Sequence, residues 1–342
     1  MTQWHTFLKN QGAVLADCQI EHYGDPQAEL QATANGNVLV DLSHLGLLEI
    51  GGEDAVTFLQ GQITNDIKLL NGHNSQYAGY CNPKGRLLAL FLVFAHHNHL
   101  HLQFHGALLE PIMKRLKMYV MRSKVTIEDI SASILCIGLA GKDAEASLKT
   151  IFEKVPRQVH ELDSLDNGIL IRLPGATPRY LVFSDADHLP GIWKQLQKTH
   201  RPVGKTCWDW LEIQAGIPEI SLETQEEFVP QMINLDALDG INYKKGCYTG
   251  QEIVARTHYL GKVKRRTQLA HIATIEQPQG GDDVFGTGGN EPVGKIVRSA
   301  PSPQGGFEVL AEIRLESLET GTIHLKSVDG PTLELQKLPY TL

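Results

Sequence analysis

Two consecutive hairpins between residues 76 and 104 constrain this chain most, because three long neighbouring strands demand a sheet and a layer to cover it. Gln76-Tyr77-Ala78-Gly79-Tyr80-Cys81 runs into Asn82-Pro83-Lys84-Gly85-Arg86, and residues 87–95 return. Proline and glycine supply the turn geometry, and the flanks are rich in strand formers. A second turn lies in His96-His97-Asn98-His99. On the strand that follows, Leu100, Leu102 and Phe104 are expected inward, with His99, His101, Gln103 and His105 on a solvated face. Alternate strand residues stand about 6.6 Å apart, so the first and third positions of this face are about 13 Å apart, and His105 lies farther still from His99. A metal with ligands at about 2 Å cannot take all three.

The rest of the text is mixed. Residues 1–35 read as an amphipathic helix and a polar connection through Tyr23-Gly24-Asp25-Pro26, followed by strands at 38–42 and 46–50 and a helix at 55–60. The polar turn 61–66 is expected to face a ligand or solvent. A helix at 108–122 sets Leu108, Ile112, Leu116 and Val120 on one face. Lys114, Arg115, Lys117 and Arg122 form either a solvated face or a seat for an anionic tail. After Lys124 a second unit is expected: strands at 125–127, 134–139, 168–172 and 180–183 with helices at 142–154 and 187–199, which suits a ferredoxin-like layer. Residues 201–204 read as a linker, 208–216 as a helix carrying Trp208, Leu211 and Ala215, and 268–342 as a small β-barrel. The fold class is α+β.

The totals narrow the function. A length of 342 residues suits two or three domains, and 42% apolar with 20% charged residues suits a soluble globular protein. The start, Met1-Thr2-Gln3-Trp4-His5, has no basic region or apolar core of a signal peptide, and no run is long enough to span a bilayer, so the expected compartment is cytoplasmic. Cysteines 18, 81, 136, 207 and 247 are odd in number and contain no Cys-x-x-Cys pair, against a disulfide framework, a structural zinc or a self-contained iron–sulfur site. The net charge of −8 speaks against general nucleic-acid gripping. Two phosphate-loop look-alikes fail: residues 289–295 are followed by Ile296 instead of a hydroxyl, and Gly204-Lys205-Thr206 lacks the first glycine, because Thr199 stands there.

Chemistry concentrates in Lys244-Lys245-Gly246-Cys247-Tyr248-Thr249-Gly250-Gln251-Glu252. Thr249 and Glu252 fit a capping box, which would open a helix just after Cys247. A helix N-terminus and the Lys245 ammonium would both favour the thiolate. The plainer alternative is a small buried cysteine filling a turn beside solvated lysines.

The stretch 245–252 resembles the signature of the YgfZ-type folate-binding proteins, cytoplasmic bacterial factors tied to iron–sulfur enzyme maintenance and tRNA modification. Further pieces of the same resemblance are 58–66, 82–85, 123–125, 215–218, 228–231, 234–235 and 338–340. It implies a three-domain aminomethyltransferase-like fold around a channel for tetrahydrofolate. The folate-binding region would span 1–125 and be completed by 205–258, with a ferredoxin-like domain at 126–200 and the barrel at 262–342. It implies folate contacts from Trp208, Gln214, Asn65, Asp66, Tyr248, Gln251, Glu252 and Arg256, with Cys247 and Lys245 as the reactive pair.

Two departures stand out. Leu88 and Ala89 occupy the positions of an aspartate pair used in aminomethyl transfer, and neither can carry a proton. Gln214 replaces a glutamate, losing charge and bidentate acceptance. The resemblance thus implies a monomeric accessory factor, not a classical enzyme, that meets iron–sulfur client proteins transiently. The alternatives are a folate-dependent one-carbon transferase using Asp66, and a protein that binds tRNA through 262–266 and 114–124.

Overall fold

The computed structural model describes every residue of the chain except 1, 18, 166, 167 and 290, so Met1, Cys18 and one residue of the phosphate-loop look-alike at 289–295 lie outside the described residues. Both hairpins form: Ser75–Cys81 pairs with Leu87–His96, and that strand with His99–Phe104. Gly46–Gly51 and Thr126–Asp129 extend them into a five-stranded antiparallel sheet. The segment expected to open the second unit therefore closes the first instead, pairing through Ile127 with Ile50.

A second sheet runs in the order Leu162–Leu165, Gly168–Leu173, Arg179–Asp185, Ile134–Ala140, Val38–Asp41, Arg201–Val203. The ferredoxin-like layer thus draws two strands from outside 126–200. One is the segment read as a linker, which forms a short edge strand parallel to Val38–Asp41. The N-terminal text resolves into two helices, Gln3–Asn10 and Pro26–Asn35, separated by the short strands Val14–Ala16 and Gln19–His22. The helices expected at 142–154 and 187–199 shrink to Ala144–Leu148 and Leu189–Leu196.

The second sheet separates two cores by strand alternation, in which successive side chains point to opposite faces. Val38, Val40, Leu181 and Phe183 join the core shared with the first sheet. Leu39, Ile137, Leu139, Tyr180 and Val182 join the other, under the helices that carry Trp4, Leu8, Leu148 and Trp193. Packing of the second sheet against the first is why the middle of the histidine face, His101 and Gln103, is not solvated, while His99 and His105 stay partly exposed. His101 is 4% exposed and stacks on Phe94 at 4.9 Å, and Phe94 in turn meets Phe183 at 5.1 Å. Gln103 is buried on the same face. Among the described residues no group of three or more metal-ligating side chains could hold an ion.

The C-terminal strands form a third sheet in the order Ile323–Leu325, Asp283–Gly286, Pro292–Pro301, Phe307–Arg314, Arg265–Ile272, Leu333–Gln336. A bridge between His324 and Thr332 brings the two edges together, so the sheet curls into a half-barrel around Ile272, Ile296, Val309 and Ile313. Pro292 and Gly294 are strand residues, so the phosphate-loop look-alike at 289–295 runs into a strand and not into a helix.

Gly138, in the Ile134–Ala140 strand, lets the helix Lys205–Gln214 approach. A Cβ there would come within 2.5 Å of the Trp208 ring. Gly138→Ala is expected to displace that ring and lower stability by about 1–3 kcal/mol, measured as a shift in the urea midpoint.

Candidate functional site

The three sheets meet around a cleft that opens to solvent. The first sheet contributes Tyr77, Leu90, Phe91, Leu92, Gln103 and Phe104, and the second Leu173 and Leu181. The helix Lys205–Gln214 adds Trp208, Asp209 and Glu212, and the half-barrel adds Arg298. Apolar walls with a few convergent polar groups are the usual make-up of a small-molecule site.

Helix phase decides which side chains enter. Residues four apart share a face, so Trp208 and Glu212 stand together, with Asp209 beside them. Gln214 lies about 200° around the helix from Glu212, and it is not among the cleft residues. The carboxylate that the cleft does contain is Glu212, a residue the sequence reading passed over. Four-residue spacing across 205, 208, 209 and 212 was the available signal.

Charges in the wall come in pairs. Arg179, 1% exposed, donates from Nη1 to Glu212 Oε1 at 2.8 Å and from Nε to the Pro174 carbonyl at 3.2 Å. Its guanidinium lies 5.4 Å from the Trp208 ring centroid, a cation–π contact that fixes the indole from behind. Asp209 accepts from Arg298 Nη2 at 2.8 Å and from the Lys205 ammonium. Burial pushes the Asp209 carboxyl up, but Lys205 and Arg298 outweigh it and hold the group below the usual carboxylate range. Burial, aided by Lys205, pushes His44 down to about 3, so this imidazole in the cleft wall is neutral.

The lysine–cysteine stretch builds a different centre. Lys245 is 8% exposed, and its Nζ donates to the carbonyls of Gln60 at 2.7 Å, Ile63 at 2.6 Å and Asn65 at 2.8 Å. Burial pushes the amine down to about 8, with Asp66 pulling the other way. The ammonium also lies 5.1 Å from the ring centroid of the buried Tyr248. Asn65 donates to the carbonyls of Tyr77 and Asp239 at 2.9 and 2.7 Å, and Asp66 accepts from Gln60 Nε2 at 2.9 Å. Asn65, Asp66, Lys245 and Tyr248 are thus brought together, but none of them lines the cleft that holds Trp208.

Cys247 is exposed. The capping box does not form: the helix Gln251–Tyr259 is entered through Gly250 at φ +84°, with no side-chain cap. Glycine is required there because a Cβ would lie 2.6 Å from the Asn82 carbonyl oxygen and 2.9 Å from Gly85. Gly85 is held just as closely, with Ile253 at 2.9 Å from its own notional Cβ. The motif is therefore seated on the turn of the first hairpin. Gln251, Glu252 and Arg256 ride on this helix, away from the cleft lining, and Glu252 and Arg256 are exposed.

Lys245→Met would leave three carbonyls without their charged donor. It is expected to cost about 2–4 kcal/mol in urea unfolding while preserving the far-ultraviolet spectrum at low denaturant.

The family model described as the GCVT N-terminal domain matches residues 7–165. The chain is similar in fold to the glycine cleavage system aminomethyltransferase T from Bartonella henselae, with a TM-score of 0.77 at 15% identity over 98% of this chain and 96% of that one. A tRNA-modifying protein YgfZ from Colwellia psychrerythraea is 33% identical over 308 residues, covering 89% of this chain and 93% of the relative. Its counterpart in Sodalis glossinidius is 29% identical over 319 residues, covering 93% and 97%. An α+β architecture shared end to end with the aminomethyltransferase, and sequence likeness of that extent, place this chain in the family of the tRNA-modifying protein YgfZ.

Proposed function

We propose that this protein is a tetrahydrofolate-binding accessory factor that supports assembly or repair of iron–sulfur clusters in client enzymes, tRNA-modifying ones among them. The observation that carries the reading is the cleft between the three sheets. A folate has a flat heterocycle, an apolar linker and an anionic tail. The cleft offers the Trp208 indole and Glu212 for the heterocycle, Phe91 and Phe104 for the linker, and Arg298 as a cation. The donor set fits the group. When bound, the folate would supply a carrier for one-carbon units, and the residues named here bind and orient it.

Binding without aminomethyl transfer is favoured by the hairpin strand Leu87–His96, which holds no acidic residue and buries Leu88 and Ala89. Asp66, the other carboxylate considered for such chemistry, is outside the cleft and occupied by Gln60 and the Lys68 amide. Among the described cysteines, accessibility gives the thiol role to Cys247. Cys81, Cys136 and Cys207 are buried, and burial pushes the thiols of Cys81 and Cys207 up to about 12 and that of Cys136 up as well. An exposed thiol on the motif can meet a client protein.

Titration of the protein with tetrahydrofolate should quench its tryptophan fluorescence in a saturable way, and Trp208→Phe should remove most of that change. A flat wild-type signal at saturating folate would end the folate reading. In cells deprived of the native copy, Cys247→Ser at normal protein levels is expected to leave tRNA-thiolating iron–sulfur enzymes with reduced activity. Full activity would remove the thiol from the account.

A further inference from the structure

The helix Gln251–Tyr259 ends in a surface that neither the cleft nor the thiol explains. His258 stacks on Tyr243 with ring centroids 3.7 Å apart and planes 11° apart, and Tyr259 stands edge-on to His258 at 4.7 Å. Tyr259 is nonetheless 63% exposed, and Leu260 beside it is 85% exposed. Aromatic rings held in fixed mutual geometry at the surface form a preorganised stacking platform.

The charge around the platform is one-sided. Lys244, Arg256, Lys262 and Lys264 are exposed, and among the described residues none of them is ion-paired, whereas Lys114, Lys124 and Lys326 are matched to Glu110, Glu53 and Glu276. Glu252 is the one acidic residue between positions 243 and 266, in a chain of net charge −8. Arg265 and Arg266, part of the same basic stretch, are committed to Glu312 and Asp236. Four free cations flanking fixed rings complement a polyanion that carries unstacked bases. Val254 is the one buried side chain of the helix and anchors it in the protein core, which leaves Tyr259 and His258 turned outward beside these cations.

We infer that this ridge binds single-stranded RNA, with bases stacking on Tyr259 and His258 and phosphates meeting Lys244, Arg256, Lys262 and Lys264. The inference goes beyond the folate reading and does not depend on it. It names a segment such as a tRNA loop or end, where bases are splayed and accessible.

The test is fluorescence anisotropy of the full chain with a fluorescein-labelled, mixed-sequence, twelve-nucleotide single-stranded RNA. Binding at 50 mM salt should weaken about 50-fold by 200 mM if four phosphates are neutralised. Tyr259→Ala should weaken it roughly 5- to 150-fold, with Tyr259→Phe close to wild type and the melting temperature unchanged in both. A Lys262→Gln/Lys264→Gln variant should lower the salt slope by about 1.4. Absence of binding at 50 mM salt would overturn the inference, as would equal affinity in Tyr259→Ala and wild type. Tighter binding to phosphatidylserine vesicles than to RNA, lost in Tyr259→Ala, would reassign the ridge to lipid.

Discussion

Asp209 holds two cations from distant parts of the chain, and the central cleft depends on that arrangement. Lys205 reaches it from one helical turn away, and Arg298 reaches it from the half-barrel. A buried carboxylate with two hydrogen-bonded cations is costly to break, because loss of one partner strands a charge in the interior. The contact locks the half-barrel against the helix that presents Trp208 and Glu212. The helix in turn is pressed onto the second sheet at Gly138. Shape and polarity of the cleft therefore share one origin, the seating of a single helix among three sheets.

The lysine–cysteine stretch follows a different logic. Its buried lysine, Lys245, organises backbone, gathering three carbonyls of the turn at 60–65 onto one ammonium. Cys247, two residues on, is left at the surface. The motif thus combines a structural half and an accessible half, and the accessible half borders the aromatic and basic ridge at 243–264.

Local signals in the sequence were readable where the residues themselves determine the answer. The hairpins at 75–104 were legible because Pro83 and Gly85 dictate a turn and the flanks are rich in strand formers. The helix around Trp208 was legible from its apolar spacing. What failed were features decided by distant neighbours. Thr126–Asp129 reads as a strand but carries no mark of its partner, and it joined the sheet before it, not the one after. His101 looks like a solvated residue until a second sheet covers it. Thr249 and Glu252 spell a capping box, yet the close approach of the Asn82 carbonyl imposes a left-handed Gly250 that the pattern does not anticipate. Resemblance drew attention to Gln214, while helix phase puts Glu212 in the cleft.

The seating of the motif on the first hairpin has a kinetic side. Lys245 and its acceptor Gln60 are 185 positions apart in the chain, and Gly250 rests on Asn82 over a comparable span. Contacts so remote in sequence close large loops and are made late in folding. The signature therefore takes its native shape only against the N-terminal hairpin and the turn at 60–65. During synthesis the cysteine emerges after every strand of that sheet, and its loop can close only onto chain that has gone before it, which links the display of the thiol to completion of the fold.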